Sequence, residues 1–248
     1  MDSITFHLSV CNIWRLQIFD ALSEKIKGQG KTVQFVQAGA NDGVSGDPIH
    51  PYVLYHGWRG ALVEPVPYLF ERLKNNYKDI SGLEFYQVCC GATEGKLPFY
   101  IVEEASEAEQ IKLGPYLSSF DKNVIMSHAF IVPNLENYIR EVQIDTLRVD
   151  TILEKSNIEN LNILMVDTEG SDDLVVNGLD LNRYIPEIVL IEHKHIRLGN
   201  LINLNKKMEF YGYTKIWMYE DLLYIRRDKL NSPEIDAIIA GSEAMYKP

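Results

Sequence analysis

The chain has 248 residues and a formal net charge of -11, which argues against a nucleic-acid surface, since such surfaces are normally basic. Hydrophobic residues make up 46%, enough for a real core and too many for disorder, and no apolar run reaches bilayer-spanning length. Three cysteines, Cys11, Cys89 and the adjacent Cys90, make no disulfide framework, so a reducing, cytoplasmic setting is expected.

The opening Met1-Asp2-Ser3 has no basic stretch ahead of an apolar one, so no secretory leader is expected. Residues 12–27 read as a helix with Leu16, Phe19, Leu22 and Ile26 on one face, within a helical extension over 1–30. Residues 33–38 form a short, largely apolar run with β-branched residues on both sides of Gln34 and Phe35, the mark of a buried strand, and run into the turn Gly39-Ala40-Asn41-Asp42-Gly43. Two glycines there permit positive φ and leave room for a ligand against the backbone. Asp47 followed by Pro48 reads as an N-cap opening a helix to about Tyr55.

Residues 60–64 form a second short strand ending in Glu64. Pro65 and Pro67 then open a helix with Val66, Leu69, Phe70, Leu73 and Tyr77 on one face. A third strand is expected over 84–89 and an extra one over 97–103. Residues 104–135 read as an irregular, partly acidic insertion over the active site. An extended segment at 141–147 and a helix over 149–156 lead to an apolar strand, 161–167, that ends in Asp167-Thr168-Glu169-Gly170. A short helix near 172–177, a strand over 187–192 ending in Glu192, and then His193 and His195 follow. The next helix carries Leu201, Leu204, Met208 and Tyr211 on one face. Residues 213–219 and 222–226 form an antiparallel hairpin, and a last helix covers 233–245.

Strands alternating with helices predict an α/β fold: a mostly parallel sheet with helices on both faces and an antiparallel last strand, in one domain over 1–248. Ligands in such folds sit beyond the carboxyl ends of the strands. Four of those ends carry polar residues here: 39–43, Glu64, 167–170 and 192–195. Glu64 lies about 20 residues past the glycine turn, where an acid accepts both ribose hydroxyls of an adenosine cofactor. The turn lacks the full dinucleotide pattern G-x-G-x-x-G. Asp42 would repel a pyrophosphate but tolerate a sulfonium or ammonium, which favours S-adenosylmethionine over NAD. An NAD-linked oxidoreductase and a non-catalytic adenosine-cofactor module stand as alternatives.

The turn 39–43, the stretches Leu62-Val63-Glu64-Pro65, Val166-Asp167-Thr168-Glu169-Gly170 and Leu190-Ile191-Glu192, and the flanking Cys90-Gly91-Ala92-Thr93-Glu94-Gly95 and Val149-Asp150-Thr151-Ile152-Leu153 together resemble the FkbM family of S-adenosylmethionine-dependent methyltransferases. The resemblance covers roughly 33–192. It implies a Rossmann-like, seven-stranded class I methyltransferase fold. It also implies methyl transfer to a hydroxyl of a small molecule or glycan-type precursor, with S-adenosylhomocysteine as product. Gln37 stands where such enzymes usually carry a first-strand acid, with Asp42 and Asp167 available to supply the negative field. The implied cofactor set is Gln37, Gly39, Ala40, Asn41, Asp42, Gly43, Glu64, Pro65, Cys90, Ser119 and Asp167. Cys90 is expected as a pocket wall, and Ser118 and Ser119 resemble a serine pair in the family's middle region.

A hydroxyl acceptor must lose its proton. His193, whose ordinary pKa lies near neutrality, is the first choice as base, with Asp167 and Glu169 behind it. Glu192, His195 and Ser118 are expected to meet the acceptor. No metal is assigned, although Asp167, Glu192 and His193 hold the donor types a divalent ion would use.

Overall fold

The structure, a computed structural model, describes residues 3–103 and 117–246. Its centre is a seven-stranded sheet of order β3-β2-β1-β7-β8-β10-β9. The strands are β1 (Gln34–Ala38), β2 (Arg59–Val63), β3 (Leu83–Tyr86), β7 (Ile163–Val166), β8 (Ile188–Glu192), β9 (Tyr213–Met218) and β10 (Asp221–Arg226). β1 pairs in parallel with both β2 and β7, so the strand order reverses beside it. That reversal opens a crevice at the carboxyl ends, where this class of sheet binds ligands. β10 lies antiparallel between β8 and β9, as the short hairpin requires.

Alternation along the central strands divides the core. In β8, Ile188 and Leu190 face one hydrophobic cluster, while Val189 and Ile191 face the other. The first cluster is covered by α1 (Ser3–Gly28), α2 (His50–His56), α3 (Pro67–Asn76) and α8 (Pro233–Met245). The second is covered by α5 (Val149–Lys155), α6 (Asp172–Asn177) and α7 (Leu198–Phe210). The expected class I methyltransferase architecture is present. α1 is longer than its sequence face suggested, and Leu16 lies 48% exposed while Ile18 joins Phe19, Leu22 and Ile26 in the core. The face of α3 is as read: Val66, Leu69, Phe70, Leu73 and Tyr77 are all buried.

Two local expectations change. Asp47 is not the N-cap of α2. The helix starts at His50 after Ile49, with a proline in its first turn, and Asp47 instead accepts a hydrogen bond from the Ile49 N–H at 2.8 Å. The expected strand over 84–89 breaks after Tyr86. Its continuation, β4 (Cys89–Cys90), joins β5 (Gly95–Val102) and β6 (Ile139–Leu147) in a second, three-stranded sheet of order β4-β6-β5. β5 pairs antiparallel with β6 along all of its own length.

Part of the insertion, including Glu104, Glu107, Glu109 and Gly114-Pro115-Tyr116, lies outside the described residues. The described part packs around a small core of its own, Val102, Leu117, Ile125, Val132 and Leu135, with α4 at Lys122–Met126. Among the described residues no helix is long and apolar enough to cross a membrane.

Candidate functional site

A cavity opens at the β1 reversal. Its walls come from the first-strand turn, the end of β2, the Cys89–Cys90 strand, the Ser118 loop and the end of β7. The turn has its shape because Gly39 and Gly43 hold φ of 81° and 74°. A Cβ on Gly39 would lie 1.7 Å from the Asp167 carbonyl oxygen, and one on Gly43 would lie 2.5 Å from Leu73 and Tyr77. Both glycines are therefore demanded by neighbouring protein before any ligand is considered.

Glu64 closes this turn. Its two carboxylate oxygens accept the backbone N–H groups of Asn41 and Val66, each at 2.8 Å. The side chain is 4% exposed. Burial pushes its pKa up to about 7, the two N–H bonds pull it back, and Asp167 adds repulsion. Glu64, Gly39, Ala40, Asn41, Pro65 and Cys90 all belong to the cavity wall. The Cys90 thiol is buried and pushed up to about 12, which makes it inert wall.

Asp42 does not face the cavity. Its carboxylate accepts the N–H groups of Val44 and Ser45, at 2.9 and 2.8 Å, and the Ser45 hydroxyl at 2.7 Å. Burial raises its pKa, but these bonds outweigh burial and hold it below the ordinary value. The acid that reaches the wall is Asp47, seated beside Gln37. Gln37 is 2% exposed, and its Oε1 has no hydrogen-bond partner; Asp47 Oδ2 is likewise sealed and without one. Burial pushes Asp47 up to about 6. The Asp47-Pro48 pair has the look of a helix cap, and its place ten residues past Gln37 carries no signal of a wall residue.

The opposite wall is the end of β7 and β8. Asp167 touches this cavity and also a neighbouring one bounded by α1 and the β9–β10 turn, which Arg15, Glu192, Glu220 and Asp221 line as well. Asp167 stays accessible through these cavities, yet enclosure by protein, with repulsion from Glu220 and Asp47, raises its pKa. Burial first, then mutual repulsion, also raises Glu169 and Glu192. Asp172, fully buried, fastens the two strand ends by accepting the Thr168 hydroxyl at 3.0 Å and the Glu192 N–H at 3.1 Å. Nothing in its helical context advertised that role.

Ser118 lines the first cavity, while Ser119 is 1% exposed and donates to the Glu169 carbonyl at 2.7 Å. His195 Nε2 stands 3.5 Å from Glu169 Oε2. His193 is turned the other way. Its Nε2 donates to the Tyr219 carbonyl at 3.0 Å and its ring meets Trp217 edge-on, outside both cavity walls. Burial lowers its pKa. The ligand grouping of Asp167, Glu192 and His193 is therefore not formed; the side chains that converge are Glu169, Glu192 and His195.

The methyltransferase FkbM domain matches residues 37–215, well over half of the chain, and takes in every residue that lines the first cavity. The chain belongs to the FkbM methyltransferase family. Among solved structures, an FkbM methyltransferase from Methylobacillus flagellatus KT matches with a TM-score of 0.50 and 15% identity, over 78% of this chain and 43% of that one. This chain thus spans less than half of that protein's length, and the likeness is one of fold. The N-terminal domain of human METTL16, solved in complex with SAH, matches with a TM-score of 0.42 and 12% identity over 85% of this chain and 69% of its own. No curated protein matches the chain.

The methyl donor this family and fold imply is S-adenosylmethionine, and the residues present fit it. A methionine α-ammonium brings three N–H donors, and Gln37 and Asp47 supply two buried oxygens that lack one. Glu64 offers a fixed carboxylate to a ribose diol. Leu69, Val88 and Cys90 give the apolar wall a purine needs. The family's usual first-strand acid is absent at Gln37, and Asp47 stands beside it with the missing charge.

Proposed function

We propose that the chain is an S-adenosylmethionine-dependent O-methyltransferase acting on a hydroxyl of a small molecule or glycan-type precursor, with its 248 residues working as one domain. The observation that carries this reading is the pair of donor-less oxygens on Gln37 and Asp47, in a cavity at the strand-order reversal beside Glu64. When bound, S-adenosylmethionine supplies a methyl group on a sulfonium and leaves as S-adenosylhomocysteine.

Each residue then has a task. Gln37 and Asp47 accept the ammonium protons, Glu64 holds the ribose, and Ser118 with Phe120 closes the cavity from the insertion side. Asp167 is shared by both cavities, so its carboxylate is our choice to receive the acceptor's hydroxyl proton. His193, tied to Tyr219, keeps the β9–β10 turn in place. Methyl transfer asks mainly for positioning, which suits an acceptor held in the second cavity between α1 and the turn. Four acids, Asp167, Glu192, Glu220 and Asp221, border that cavity. They repel a phosphate backbone, which with the net charge of -11 supports a non-nucleic-acid acceptor. Free, buried cysteines agree with a cytoplasmic setting.

Calorimetry with S-adenosylhomocysteine and with NAD tests the cofactor, and labelled methyl transfer to a panel of hydroxylated acceptors tests the reaction. Binding of S-adenosylhomocysteine alone, with transfer to an acceptor oxygen, is the expected result. NAD binding in its place ends the proposal, and cofactor binding without transfer to any acceptor leaves a binding module.

A further inference from the structure

Beyond β7 and β8, Glu169, Glu192 and His195 each turn one ligand atom inward, and the three atoms lie within 4.8 Å of one another. They come from two different strand ends, brought together by Asp172 through its bonds to Thr168 and Glu192. Nearby cations are already engaged: Lys194 with Glu220 at 2.9 Å and Arg15 with Asp221 at 3.1 Å. Glu192 Oε2 is sealed from solvent and has no hydrogen-bond partner. A sealed carboxylate oxygen without a donor is costly unless something positive meets it.

We propose that Glu169, Glu192 and His195 form a binding site for a divalent cation of borderline hardness, of the Mn2+ or Zn2+ kind. Two carboxylates and an imidazole suit such ions better than Ca2+ or Mg2+, which favour all-oxygen shells. Bonds of about 2.0–2.2 Å hold neighbouring donors roughly 3–3.5 Å apart on one ion. His195 and Glu169 already stand 3.5 Å apart, so small side-chain rotations close the site. Three protein ligands leave coordination positions open for an acceptor oxygen. Glu169 lines the donor cavity and Glu192 the neighbouring one, so the ion lies at their common border. There it lowers the pKa of an acceptor hydroxyl. That role rests on the methyl-transfer reading; the binding of the ion does not.

The test is titration of the tag-free chain with Mn2+, followed by calorimetry and electron paramagnetic resonance. Wild type is expected to bind a single ion with an imidazole-nitrogen coupling. Glu192→Gln and His195→Ala are each expected to weaken binding at least about tenfold, and His195→Ala to abolish the nitrogen coupling. S-adenosylhomocysteine affinity, measured on the same samples without metal, should stay within about threefold. A wild-type chain that binds neither Mn2+ nor Zn2+ overturns the site, as does metal binding without nitrogen coupling or unchanged affinity in both variants. Should a variant lose its fold by circular dichroism, the wild-type stoichiometry and nitrogen coupling decide alone. A chain that binds metal but not S-adenosylhomocysteine overturns the donor reading and leaves the metal site standing.

Discussion

The two walls of the site treat their carboxylates in opposite ways. On the β1–β2 side, Glu64 in the wall and Asp42 in the turn behind it each receive backbone N–H groups at 2.8–2.9 Å. On the β7–β8 wall, Asp167, Glu169 and Glu192 crowd one another, and Glu192 Oε2 has no donor at all. The oxygens of Glu64 and Asp42 find their donors within the fold. Charge on the second wall awaits a proton, a cation or a ligand. Binding rigidity and chemical demand are thereby separated across one cavity, with Asp47 as the first wall's single unfinished acid.

The sharpest way to break the first wall is at Gly39. Gly39→Ala forces a Cβ to within 1.7 Å of the Asp167 oxygen at a φ of 81°, and we expect a loss of about 4 kcal/mol or no folded protein in urea melts. Gly46, with φ of 71° and nothing within 4 Å, is the control; Gly46→Ala should cost only about 1–2 kcal/mol. A Gly39→Ala chain as stable as that control would show that the turn yields.

Asp47 and Asp42 separate ligand charge from turn charge. Asp47→Asn should weaken S-adenosylhomocysteine binding about tenfold by calorimetry. Asp42→Asn should change that affinity less than about twofold and instead cost about 1 kcal/mol of stability. The reverse ranking would return the cofactor role to Asp42.

Without ligand, stability should fall as pH rises. Glu64 keeps its proton to about pH 7 in the folded state against an ordinary 4.5, and Asp47 to about 6 against 3.8. The unfolded chain releases these protons earlier. The stability they contribute is therefore complete below about pH 4 and lost as pH climbs through 6 and 7. A melting temperature a few degrees lower at pH 8 than at pH 5 is expected, with the slope reduced in Glu64→Gln. A flat or rising wild-type profile would contradict it.

The smallest effect belongs to His193. Because its Nε2 serves the Tyr219 carbonyl, His193→Ala should leave turnover within about threefold while lowering the melting temperature. A collapse of kcat with an intact fold would restore it as the base.

The sequence by itself determined what depends on near neighbours. The glycine turn, the apolar face of α3, the closing hairpin and α8 follow from spacing, turn chemistry and periodicity within a few residues. Glu64 was legible because the strand that carries it ends there. Tertiary structure decided the rest. β4 exists because Cys89 and Cys90 meet Thr146 and Leu147, a pairing no local pattern encodes. Asp47 became a wall residue because α2 starts later than its proline suggested. His193 and His195 both sit in the turn that follows β8, and only the Tyr219 carbonyl on one side and Glu169 on the other chose which of them faces the site. Periodicity records which face a residue occupies; the partner on that face comes from elsewhere in the chain.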